Sequence, residues 1–264
     1  MNLLSAAQVE HLARQPIPGT NRAGDNARLE PTFEAVAQEI AKLDSLTAED
    51  PVRWRDVLEQ SQQILAQQSK DFLVACYLTR ALSEFHGVDG LQQGLALARD
   101  LAHTFWDDAF PPVKRLRGRA QAFEWLVEKC TPLLERYQPD AAQFETVKNL
   151  EATVIALDDF LVEKMAAAAP NLADLRQRCR RLRQGMEQQG MEQQRLEPQG
   201  SGQQRGQQPH PQNPAAQTAS RDAAAPAGAS RTEPAAPAVS VSTPGSITQE
   251  KDVIAVYRAC QDPL

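Results

Sequence analysis

The sequence predicts an all-α fold, and three observations lead to it. Apolar residues recur three and four apart in every long segment up to about Arg183. No stretch alternates polar and apolar residues with period two over a useful length. The breaks between the periodic segments carry proline or glycine turn signals. Short breaks between helices favour antiparallel hairpins as the packing unit.

The elements follow in order. Asn2 to Arg14, with Leu3, Leu4, Ala7 and Leu12, reads as a weakly amphipathic helix. Pro16 to Pro31 holds three prolines and two glycines and reads as an extended, turn-rich segment. Pro31 suits the first turn of the next helix, where its missing N–H is not needed. Phe33, Val36, Ala37, Ile40 and Leu43 form that helix's apolar stripe. Trp54, Val57, Leu58, Ser61, Ile64 and Leu65 form another stripe, with Gln60, Gln63, Gln67 and Gln68 mostly opposite. That helix ends near Ser69, and Asp71 can cap its successor. Phe72 to Phe85 is apolar nearly all round, the pattern of a central buried helix. Gly87 to Gly90 reads as a turn, followed by a helix to about Thr104 with Leu91, Leu95, Leu97, Ala98 and Leu101 inside.

Phe105 to Val113, FWDDAFPPV, interrupts the pattern, because Pro111 and Pro112 cannot continue a helix. Helices resume near Arg117 with Phe123, Trp125, Leu126 and Cys130, and Thr131-Pro132 marks a kink or a fresh cap. Asp140 opens a long helix to about Ala168, and Pro170 opens a last one to about Arg183. From Gln184 to Gly245 the chain turns to Gln, Pro, Ala, Gly and Ser, and includes a tandem GMEQQ at Gly185 to Gln194, which can extend the preceding helix but reads first as a low-complexity tract. Such a composition buries too little apolar surface to offset its ordering entropy, so residues 184–245 are expected to be a disordered linker. Residues 246–264 then carry an apolar face of Val253, Ile254, Val256, Tyr257 and Cys260, expected to be the first helix of a further, truncated domain.

Composition narrows the function. A net charge of -6 and a pI near 5.4 argue against a general nucleic-acid binder. Cys76, Cys130, Cys179 and Cys260 stand far apart with no CxxC pair, the usage of free thiols in a reducing compartment. No signal peptide or membrane-spanning run is visible, so the expected location is the cytoplasm. His11, His86, His103 and His210 are scattered, and no HExxH, GxSxG or glycine-rich phosphate loop occurs. Neither catalysis nor a cofactor or metal is expected. The one strong basic run, Arg176 to Arg183, reads as a cationic last turn that complements its helix dipole, in preference to a nucleic-acid or anion patch. FWDDAFPPV is the surface candidate: aromatics beside prolines and aspartates can form a rigid ledge for a partner. Phe105, Trp106 and Phe110 can instead cap the core, so Trp106 and the aspartates are kept as the binding candidates.

Three blocks carry a family resemblance. Gly24, Arg28, Pro31 and Phe33 form the first. Trp54-Arg55, Ser69-Lys70-Asp71, Tyr77-Leu78 and Arg80-Ala81-Leu82 form the second. Trp106-Asp107 followed by Pro111 forms the third. In this order and spacing they resemble the ImpA-type N-terminal domain of TssA proteins of the bacterial type VI secretion system, over roughly residues 16–165. Pro16-Ile17-Pro18 points to the VasJ-like subgroup. Leu29 stands where that family often has an aromatic residue, and Asn26 where it often has an acid. The resemblance implies a helical, non-enzymatic assembly component that contacts baseplate and tail tube/sheath proteins. It also implies self-association into rings through a C-terminal domain absent from this sequence. Trp106, Asp107, Asp108, Pro111 and Arg28 are the partner-binding candidates. Two other readings stand beside it. One is a helical adaptor outside secretion that binds a peptide between hairpins. The other is a hydrolase built on Asp107, Asp108 and Glu84.

Overall fold

The computed structural model describes residues 2–45 and 50–196. Among them there are seven α-helices and no strand: α1 (Ala6–Arg14), α2 (Pro31–Ala41), α3 (Trp54–Gln67), α4 (Phe72–Phe105), α5 (Leu116–Arg136), α6 (Phe144–Met165) and α7 (Ala173–Leu196). The expectations for residues 197–264, including the truncated second domain, lie outside the described residues.

The helix α4 is the centre, and α1, α3, α5 and α6 all pack on it. Its sequence explains its position, since Val74, Ala75, Cys76, Leu78, Ala81 and Leu82 bury every face of its first half. At Gly87, with φ 55° and ψ -129°, the backbone leaves the helical region and the chain folds back. The two halves then touch backbone to backbone. A Cβ on Gly94 would sit 2.6 Å from the Thr79 Cα, and one on Gly90 would sit 2.0 Å from the Leu82 carbonyl oxygen. Only glycine permits that approach, so the expected turn here is the bend of a tight helical hairpin.

The other helices start and stop for local reasons. Ser5 and Gln8 form a reciprocal capping box, so α1 begins at Ala6 rather than Asn2. The side chain of Gln93 receives the Leu4 N–H and donates to the Leu4 carbonyl at 2.9 and 2.7 Å, which pins the chain before α1 to the return half of α4. Pro31 occupies the first turn of α2. Asp71 caps α4 by accepting from the N–H groups of Leu73 and Val74. Asp140 and Gln143 cap the entry to α6 in the same reciprocal way. The helix α5 runs through Pro132 without restarting.

Two expectations are corrected at the end of the described region. The helix α7 passes the boundary placed at Arg183 and continues through both GMEQQ repeats to Leu196. Gln, Glu, Met and Arg are good helix formers, and Gly185 and Gly190 cost only local stability. Met186 still reaches the core. The basic run is also not a terminal cap. Arg176 pairs with Asp158, Arg178 with Glu135, and Arg180 and Arg183 with Glu151, so these arginines stitch α7 to α5 and α6. Cys76, Cys130 and Cys179 are free, buried thiols, and burial pushes Cys130 and Cys179 up to about 12.

Candidate functional site

The three sequence blocks meet at one place. Ser69-Lys70-Asp71, between α3 and α4, is extended and lies between two other segments. On one side the Lys70 N–H donates to the Ala23 carbonyl at 2.8 Å, and the Asp25 N–H donates to the Gln68 carbonyl at 3.0 Å. On the other, the Phe110 N–H donates to the Lys70 carbonyl and the Phe72 N–H to the Phe110 carbonyl, both at 2.9 Å. Gly24 is required beside it: its φ is 74°, and a Cβ there would lie 2.2 Å from the Gln68 carbonyl oxygen.

Two buried cations lock this knot. Lys70 is fully buried, and its ammonium donates to the carbonyls of Leu12 at 2.9 Å and Leu65 at 2.8 Å, with His11 at 3.4 Å. These carbonyls belong to the last turns of α1 and α3, where helix dipoles present negative charge. Burial brings the Lys70 pKa down to about 8. Arg119, near the start of α5, is also fully buried. Its guanidinium donates to the carbonyls of Pro111 and Trp106, both at 2.6 Å, and of Ala109 at 2.8 Å. It lies over the rings of Phe72 and Trp106. Burial lowers its pKa to about 10. The loop 105–113 is thus held from beneath by one side chain, with a cis peptide between Phe110 and Pro111.

Asp71 is buried as well, and Arg28 reaches its carboxylate at 3.1 Å. Burial pushes the Asp71 pKa up, while Arg28 and the N–H groups of Leu73 and Val74 act against that. Arg28 therefore works first as the partner of Asp71, with about a third of its side chain left to solvent.

The structure divides the loop candidates. Trp106 is not an exposed anchor. It is 8% exposed, lies edge-on to Phe160 with centroids 5.3 Å apart, and touches Phe72 and Arg119. The loop must close the end of the α4 hairpin, and its large rings fill that end. Phe105 is fully buried too, and Pro111 is buried. Asp107 and Asp108 remain exposed, and Asp108 pairs loosely with Arg22 at 3.7 Å. Glu84 does not join them. It lies twelve residues into α4 from the end at which the loop packs, about 18 Å at helical rise. It pairs there with Arg80 at 2.7 Å. The hydrolase arrangement is therefore not assembled. Among the described residues no group of three or more His, Cys, Asp or Glu side chains is placed to hold a metal.

Sequence reasoning missed the cations. Lys70 and Arg119 have no carboxylate in their hydrogen bonds, and their acceptors are backbone carbonyls invisible to residue type. It also missed a groove of about 400 Å³ where Arg28, Phe110, Pro111, Arg115, Arg117 and Gln121 come together. Among the described residues no helix is long and apolar enough to cross a membrane.

Comparison with known proteins bears on the same region. Residues 14–128 match the family model described as ImpA, N-terminal, type VI secretion system. No curated protein matches. Among solved structures, the N-terminal domain of the TssA component of the type VI secretion system from Burkholderia cenocepacia, which includes the conserved ImpA_N region, is similar in fold. The TM-score is 0.59 at 20% identity, over 73% of this chain and 99% of that one.

Proposed function

We propose, on the premise that residues 14–128 are an ImpA N-terminal domain of the type VI secretion system, that this chain is a non-enzymatic assembly component. It acts in the cytoplasm by protein–protein contact while the baseplate and the tail tube and sheath are built. One observation carries this reading. The family motifs converge on a rigid knot joined by backbone hydrogen bonds, with no assembled catalytic group, and that knot holds an exposed rim of Asp107 and Asp108 beside the half-buried Arg28. A surface held so firmly suits recognition of a partner, because little ordering cost remains at binding.

The test is capture of baseplate and tube/sheath proteins by the full chain from cells that express the machine. Asp107→Lys with Asp108→Lys should reduce that capture while leaving the melting temperature unchanged, since both side chains are exposed. Trp106→Ala is unsuitable here, because it would open the core. Absence of every secretion component from a folded, expressed bait would refute the assembly role.

A further inference from the structure

Beside the knot, the groove between loop 105–113 and the start of α5 has a chemistry of its own. Its walls bring Arg28, Arg115 and Arg117 together in a chain whose net charge is -6. Arg115 and Arg117 are exposed, and neither guanidinium group has an ion-pair or hydrogen-bond partner among the described residues. The contrast with α7 is sharp, where Arg176, Arg178, Arg180 and Arg183 are all paired with carboxylates. Lys114, also exposed, adds charge next to them. The helix α5 has no capping side chain and no acidic residue in its first turn, so nothing on that turn offsets this positive field. The floor is stiff, because Arg119 ties down the carbonyls of Trp106, Ala109 and Pro111 beneath it. Leu29, next to Arg28 in the chain, is 91% exposed.

We propose that this groove is a docking site for an acidic segment of a partner protein, with Arg115 and Arg117 holding its carboxylates and Leu29 offering an apolar contact at the edge. This rests on the reading of the domain as an assembly module and names the chemistry of one of its contacts. Guanidinium groups pair with carboxylates through two parallel hydrogen bonds, which gives direction as well as attraction. A cleft of about 400 Å³ suits a few side chains of such a segment. A long polyanion fits less well, because Asp107 and Asp108 stand exposed on the same loop and the chain as a whole is acidic.

The experiment measures fluorescence anisotropy of a fluorescein-labelled, glutamate-rich peptide with the full chain. A lysine-rich peptide of equal length and a single-stranded oligonucleotide are the comparison probes. The glutamate-rich peptide should bind, should weaken as salt is raised, and should lose at least about tenfold in affinity in Arg115→Glu/Arg117→Glu. The melting temperature should not change. Should that reversal perturb folding, Arg115→Gln/Arg117→Gln should give a smaller loss in the same direction. No binding by the parent chain, or equal binding by the variants, overturns the proposal. Tighter binding of the oligonucleotide, lost in the same variants, overturns it in favour of nucleic acid. Capture of baseplate and sheath proteins by the same variants separates this proposal from the assembly role. Undiminished capture removes the groove as an assembly contact and leaves the role standing. Peptide binding without capture of any secretion component keeps the groove and removes the role.

Discussion

Two regions of this molecule hold basic side chains in opposite ways. In the knot, Lys70 and Arg119 are fully buried and are held by six backbone carbonyls between them, three each. Along α7, Arg176, Arg178, Arg180 and Arg183 are partly exposed and are held by carboxylates of α5 and α6. The first arrangement takes a charge out of water and uses it to gather chain ends that have no other partner. The second keeps the guanidinium groups partly in water, although Glu151 and Asp158 are themselves buried, and each charge is matched by an opposite one rather than by carbonyls. The lesson is that the family motifs here are chiefly devices of architecture. They fix the loop and the helix ends, and the proposed contact surface is what they hold in place.

The largest expected consequence of that difference is at Arg119. Arg119→Ala leaves three buried carbonyls without donors and empties the space over the rings of Phe72 and Trp106. It should cost about 3–5 kcal/mol in chemical denaturation. A cost below about 1 kcal/mol would place Arg119 with the α7 arginines instead.

Lys70 should come next. Lys70→Met keeps the apolar stem but strands the last-turn carbonyls of α1 and α3, at about 2 kcal/mol. The effect should depend on pH. Burial lowers the folded-state pKa to about 8 from an ordinary 10.5, so between these values the unfolded chain binds more protons at this site. The charged amine therefore penalises folding below about pH 8, and the penalty fades as pH rises towards 10.5. The parent's advantage over Lys70→Met should grow across that window. Taking the difference removes the buried cysteines and tyrosines, whose raised pKa values act in the opposite direction. A constant difference would show that the ammonium is not buried.

The smallest effect should be on α7. Arg180→Ala should cost less than about 1 kcal/mol, and less still at high salt, as urea titration would show, because Arg180 is 58% exposed and Arg183 still pairs with Glu151. A larger loss would mean that the buried Glu151, which also meets Arg183, depends on Arg180 as well.

Much of the fold could be read from the sequence because its causes are local. The apolar stripes of α2 and α3, the Asp71 cap and the bend at Gly87 depend on residues within a few positions of one another. The length of α7 was obscured by composition. The GMEQQ repeats look like linker, yet their residues are helix formers, and Met186 finds the core. The site was harder. Lys70 acts on Leu12, and Arg28 acts on Asp71, across 58 and 43 positions. FWDDAFPPV has no helical period, so nothing in it says which ring turns inward, and of the two readings open for Trp106, ledge or core cap, the structure takes the core. Arg115 and Arg117 became visible only when the fold left them unpaired beside Pro111.

The knot itself can be tested by amide hydrogen exchange. The N–H groups of Lys70, Phe72 and Phe110 connect the three sequence blocks, though all lie at or beyond helix ends, where exchange is usually fast. They should exchange as slowly as the amides of Leu78 and Leu82 in the middle of α4, through global unfolding alone. Exchange at the rate of the exposed loop residues Asp107 and Asp108 would contradict the account, because the motifs would then not be joined.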